Sequence, residues 1–123
     1  MFKRFRRLRL NSAIRDMIRE NTLCVDDFIY PLFVVKGQGA REEIPSMPGV
    51  FNFSVDELLK ECDELVDLGI KAVILFGIPS LKDSIGSDAL SDDGIIATAL
   101  RAIKEAHSEL IVITDLCFCE YTD

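Results

Sequence analysis

Two hydrophobic periods alternate along the chain. Between Ser54 and Leu68, apolar side chains recur at Val55, Leu58, Leu59, Cys62, Leu65 and Val66, the i, i+3, i+4, i+7 spacing that places them on one stripe of an amphipathic helix. Ser54 and Glu57 have the spacing of a capping box, and Gly69 supplies a C-terminal stop. Gly94 to Ser108 repeats the pattern, with Ile96, Ala99, Leu100, Ile103 and His107 on one face. The remaining apolar stretches are short and continuous: Asp27 to Val35, Ala72 to Phe76, and the run that starts at Ile111. Such runs are expected of strands covered on both faces. Pro31 removes a ladder donor from the first of them and marks an edge or bulge there. A short helix is expected over Ser12 to Glu20, capped by Asn11 or Ser12. Gly37 to Pro48 reads as a loop, and Gly77 to Gly94 as a long connection carrying Lys82, Asp83, Asp88, Asp92 and Asp93.

The order is therefore β, α, β, α, β, with strands about 40 residues apart, which predicts a parallel α/β sheet. Two architectures share that order, the (β/α)8 barrel and the open doubly wound sheet, and both put functional groups beyond the C-terminal ends of the strands. No G-x-G-x-x-G or P-loop pattern follows any strand, which argues against nucleotide binding. A complete barrel takes about 250 residues. At 123 residues the chain holds the first few βα units of one, or else a small α/β module.

Composition adds little to this until charge and cysteine are considered. The chain is 49% hydrophobic and 28% charged, as soluble globular proteins are. It has no apolar run long enough for a bilayer and no signal-peptide core, so a cytoplasmic location and no membrane partner are expected. Four cysteines then point to a reducing compartment, with metal binding or catalysis ahead of a disulfide framework. Residues 1–20 carry seven basic side chains against Asp16 and Glu20, a net +5, so the rest of a chain of net charge −7 carries −12. A basic arm on an acidic body suits nucleic acid, a solvated tail, or an acidic neighbouring subunit that Arg forks can pair with.

Most of the candidate chemistry lies in the last stretch, Ile111 to Asp123. If the strand runs on through it, Asp115, Cys117 and Cys119 project to one side, because strand side chains alternate faces. One carboxylate and two thiols then share a small volume. A C-x-C pair can be two inert buried thiols. A disulfide fits less well, since strand neighbours two apart are separated by about 6.6 Å with parallel side chains. Zinc, with sulfur ligands at about 2.3 Å, fits better but needs a third ligand from elsewhere. Cys62 lies on a helix stripe and reads as core. Cys24, in a connection beside apolar residues, receives the same structural reading. His107, alone of its kind and in a last helical turn, reads as structural.

The segment Thr114-Asp115-Leu116-Cys117-Phe118-Cys119-Glu120-Tyr121-Thr122-Asp123 resembles the zinc-binding segment of the porphobilinogen synthase (5-aminolevulinate dehydratase) family. The likeness extends through Arg6-Arg7-Leu8-Arg9, Ile14-Arg15-Asp16-Met17, Tyr30-Pro31-Leu32-Phe33-Val34, Ile44-Pro45-Ser46-Met47-Pro48-Gly49-Val50, Leu75-Phe76-Gly77-Ile78, Lys82-Asp83 and Gly86-Ser87. The resemblance implies an α/β fold: an extended N-terminal arm with a short helix over residues 1–22, then an incomplete TIM-barrel domain over residues 23–123 with about three of its strands. It implies condensation of two 5-aminolevulinate molecules to porphobilinogen with loss of two waters, in tetrapyrrole biosynthesis, catalysed by a hydro-lyase. Cys117 and Cys119 match two ligands of a Zn2+ whose third cysteine lies beyond the chain end, and Asp115 matches an acidic catalytic residue. The Schiff-base lysines, and the ligands of an allosteric Mg2+ found in part of the family, would also fall outside this chain. The implied partner is a second copy: a homo-oligomer, an octamer, held through the basic arm with Phe2, Phe5 and Leu8 buried, and no nucleic acid. The reading from another class is a small cytoplasmic metal-binding or redox module that uses the C-x-C pair.

Overall fold

The computed structural model describes residues 3–123. Its centre is a five-stranded sheet in the order β2-β3-β1-β4-β5, where β1 is Ile29–Val35, β2 Arg41–Glu43, β3 Phe51–Phe53, β4 Ala72–Ile78 and β5 Ile111–Thr114. Strands β1, β4 and β5 run parallel in register, Leu32 beside Leu75 and Leu75 beside Thr114. Each is reached from the one before through a helix: α2 (Val55–Asp67) joins β3 to β4, and α3 (Ile95–Ala106) joins β4 to β5. These are the first βα units that the spacing predicts. Short parallel strands need such crossovers, and their helices must cover the apolar face they leave.

That face forms the core. Leu32 and Val34 of β1 and Val73 and Leu75 of β4 are buried against Leu58, Cys62 and Leu65 of α2 and Ala99 and Ile103 of α3. On the opposite face the register partners Phe33 and Phe76 stack, ring centroids 5.2 Å apart. The α2 stripe packs as its periodicity predicts, with Val66 at the half-exposed margin. Gly69 follows α2 at φ +84, the left-handed conformation that a helix stop of this kind requires. His107 closes α3 with Nε2 at 3.0 Å from Asp63 Oδ1 of α2, an approach whose geometry makes no hydrogen bond.

Several expectations need correction. The predicted loop Gly37 to Pro48 contains a strand, β2, which pairs antiparallel with β3 just beyond the loop. β3 then adds to β1 only at Phe33 and Val34, so Pro31 sits where that flank of β1 is open and its missing donor is tolerated. The Ser54/Glu57 capping box does not form. The Ser54 hydroxyl instead accepts from Ala40 N–H at 2.9 Å and donates to Asp56 at 2.6 Å, while Glu57 pairs with Lys60. Helix α1 is shorter than expected, Ser12–Met17, with Asn11 accepting from Ile14 N–H. Ile95 joins the buried face of α3. Cys24 is exposed, held by its own N–H donating to Asp27, so it does not pack in the core. The last strand stops at Thr114 and does not continue through Cys119.

The arm lies apart from this core. A 3-10 turn at Arg7–Arg9 and α1 contribute no buried residue, and Phe5 is 93% exposed. Phe2 is outside the described residues.

Candidate functional site

The three parallel strands end side by side, and the segments that leave them converge. Lys36, one residue past β1, reaches across to Asp88 with Nζ at 2.5 Å from Oδ1. The other oxygen of Asp88 accepts from Ile95 N–H at 3.0 Å, the first residue of α3. Gly94 has no side chain with which to cap that helix, and a carboxylate from the preceding connection does so instead, where the helix dipole favours it. Within the connection, Asp83 accepts from Ser87 N–H at 2.9 Å and Ile85 N–H at 3.2 Å. The hydrogen bonds from Ser87 hold its carboxyl below the usual range.

The segment after β5 folds back onto this connection. The Tyr121 carbonyl accepts from Asp83 N–H, Tyr121 N–H and Thr122 N–H both donate to the Phe118 carbonyl, and Lys82 Nζ donates to the Cys119 carbonyl at 3.4 Å. The strand therefore gives way to a tight turn that delivers Tyr121 to the core, 7% exposed. Strand alternation is not what brings the candidate residues together.

The turn brings two of the three candidates to one cleft and leaves the third beside them. Asp115 and Cys117 line one cleft of about 320 Å³ together with Asp88, Ile96, Leu100 and Tyr121. Cys119 lies outside that lining but beside Cys117, whose side chain is the main cause of a Cys119 thiol held above its usual range; slight burial and the charges of Cys117 and Glu120 add to it. Glu120 is raised in turn by burial and by the charge of Asp115, with Lys82 opposing. Negative groups are thus concentrated around the Cys119 thiol, which holds its proton more tightly than a free thiol does. All four cysteines are free. Two neighbouring thiols with an exposed approach fit a soft divalent metal as part of a ligand set. Among the described residues, no group of three or more His, Cys, Asp and Glu could hold a metal ion. The pair is the whole of what this stretch offers.

Lys36, Asp88 and Tyr121 carried no sequence signal tying them to the cysteines. Asp88 could be placed only in a long connection leaving the C-terminal end of a strand. β4 runs past the expected end at Phe76 and takes in Gly77, the expected first residue of the connection.

The sequence profile described as delta-aminolevulinic acid dehydratase matches residues 2–123. The delta-aminolevulinic acid dehydratase of Helicobacter pylori is 60% identical over 124 residues, covering 100% of this chain and 38% of the relative. That of Halalkalibacterium halodurans is 53% identical over 122 residues, covering 99% and 37%. The crystal structure of delta-aminolevulinic acid dehydratase (porphobilinogen synthase) from Toxoplasma gondii ME49, in complex with the reaction product porphobilinogen, is similar with a TM-score of 0.90 and 35% identity, over 100% of this chain and 35% of that one. The chain spans less than two-fifths of the length of these relatives.

Proposed function

Because the chain belongs to the delta-aminolevulinic acid dehydratase family, and its sheet is accordingly the start of a TIM barrel, we propose that the complete protein is a porphobilinogen synthase. It is a hydro-lyase of the cytoplasm that joins two 5-aminolevulinate molecules with loss of two waters. The observation that carries this reading is the placement of Asp115, Cys117 and Cys119 immediately beyond the C-terminal end of β5, the face on which barrel enzymes assemble their sites. The stand-alone metal or redox module has no comparable support, since the family match runs over residues 2–123.

In this reading Cys117 and Cys119 provide two thiolates of a zinc site. Zinc held there supplies Lewis-acid polarisation of a substrate oxygen. The chain's own groups do the rest of what this stretch contributes. Asp115, lining the cleft beside Cys117, offers a carboxylate to the substrate amine and orients it by a charge-assisted hydrogen bond. Lys82 anchors the backbone of the cysteine turn through the Cys119 carbonyl. The lysines that form imines with the substrates belong to the part of the protein outside these residues. Residues 1–22 act as an arm between subunits of an octamer, and residues 23–123 as the opening of the barrel domain.

The test is turnover of 5-aminolevulinate by the complete protein, with the pyrrole product followed by colorimetry. Cys117→Ala and Cys119→Ala should each lower bound zinc and reduce activity by at least a hundredfold, since two thiolates leave an open, weak site. Activity that survives a strong zinc chelator undiminished would reject the zinc assignment while leaving the synthase assignment standing.

A further inference from the structure

Tyr121 is the one aromatic side chain of the cysteine turn that enters the core, and the space it enters is made by a missing side chain. Gly77 sits near the end of β4, and a methyl group built on it would lie 2.5 Å from the Tyr121 hydroxyl oxygen, 2.7 Å from Ile96 Cγ1 and 2.9 Å from Ile95 Cγ2. None of those separations is tolerated by real atoms in a close-packed interior. Gly77 has no positive φ that would call for glycine. The reason for glycine there is the approach of the phenol and of α3. Gly86, in the connection after β4, is called for by its backbone, φ +64, and lies beside the Phe118 ring.

From this we propose that Tyr121, wedged into the notch left by Gly77, is a positioning residue for the Cys117 and Cys119 thiols. The inference deepens the zinc reading above and rests on it. The turn between the wedge and β5 is short. Tyr121 lies two residues from Cys119, and its N–H closes onto the Phe118 carbonyl at 2.9 Å, between the two cysteines. A shift of the ring is therefore transmitted to both sulfurs. On the other side, the Tyr121 carbonyl is fixed by Asp83 N–H at 3.2 Å, which stops the turn from sliding along the connection. Metal capture by thiolates depends on distances held to a few tenths of an ångström, so a ring that sets where the turn sits controls affinity without touching the metal.

Two kinds of substitution separate this role from simple packing. Tyr121→Phe keeps the wedge and removes only the hydroxyl, whereas Tyr121→Ala and Tyr121→Leu remove or narrow it. Gly77→Ala drives the ring out, and in the Gly77→Ala/Tyr121→Phe double variant the loss of the hydroxyl relieves the closest of the three contacts. The probes are Zn2+ competed against a chelating dye and the thiolate-to-metal charge-transfer band of Co2+, both on the complete protein, with thermal denaturation of the metal-free form measured alongside. Tyr121→Phe should bind zinc within about twofold of wild type. Gly77→Ala and Tyr121→Ala should bind at least tenfold more weakly with a weakened cobalt band, and the double variant should recover part of the Gly77→Ala loss. If Tyr121→Ala does not fold, Tyr121→Leu carries the same expectation. Wild-type zinc affinity and an unchanged band in a folded Tyr121→Ala or Tyr121→Leu would overturn the positioning role alone. So would zinc affinity that falls only as far as stability falls. Absence of the cobalt band from the wild-type protein would reject the zinc reading, and the positioning role with it.

Discussion

Two of the four thiols have opposite environments. Cys62, fully buried on α2, is pushed up to about 11, first by burial and then by the neighbouring charges of Asp63 and Glu61. It is a small hydrophobe in practice, as its place on the helix stripe suggested. Cys119 is exposed and raised chiefly by its neighbour Cys117, a cause that a bound cation reverses. The Cys62 shift has a consequence for stability. The folded state holds that proton more tightly than the unfolded chain, whose thiol titrates near 9.0. The stabilisation is therefore complete below pH 9 and is lost as the pH rises toward 11, on the order of 2 kcal/mol once both values are passed. Denaturant midpoints of the complete protein between pH 8 and 10.5 should fall more steeply for wild type than for Cys62→Ala. Parallel slopes would show that the Cys62 thiol is not what titrates.

At the scale of elements, α3 depends on a residue far outside it. Asp88 satisfies Ile95 N–H at the helix start while paired with Lys36, so one carboxylate links β1, the connection and α3. Asp88→Ala should cost about 1–2 kcal/mol in chemical denaturation, through the lost cap and the lost charge-assisted bond. Asp88→Asn should recover about half, because an amide oxygen still caps. This dependence also shows where sequence reading stops. The α2 stripe, the Gly69 stop, the apolar runs of β1 and β4 and the parallel order were legible because burial imposes a period on the chain. The β2 and β3 ribbon was hidden, since Arg41–Glu43 is exposed throughout and leaves no hydrophobic alternation to detect. The continuation of β5 through Cys119 was misread for a different reason. Residues 111–119 are apolar enough for a strand, and the turn that replaces its second half seats Tyr121 against Gly77, a contact across 44 positions of sequence. Asp115 and the cysteines stand out by residue type alone, and it is the turn, not strand alternation, that sets Asp115 and Cys117 on one cleft and Cys119 beside Cys117.

At the scale of the molecule, charge and exposure point to neighbours. The outer flank of β5 and the Phe33–Phe76 face have no covering layer among the described residues. A polypeptide of residues 1–123 alone should therefore show no sharp melt and no turnover, because parallel sheets are stable only with both faces and edges covered. A cooperative melt with near-UV ellipticity would show that this stretch folds by itself. The arm is the clearest of these surfaces. Residues 1–10 carry five basic side chains and no acidic one, and Phe5, Leu8 and Leu10 stand exposed at 93%, 58% and 74%. Apolar groups interleaved with arginines are costly to leave in water and match an acidic body of net −12 over residues 21–123, a remainder fixed by the chain's −7 and the arm's +5. Docking on a second copy would cover the apolar groups and pair the charges together, at partly exposed sites where salt screens them over about 8–10 Å. Deleting residues 2–10 from the complete protein should lower the mass measured by sedimentation. Raising salt should move wild type in the same direction, by a smaller step, since the buried apolar groups are not screened. An unaltered mass after deletion would remove the arm from assembly. Loss of RNA retention in its place would transfer the arm to nucleic-acid binding, the other use that a cluster of arginines on an acidic body supports.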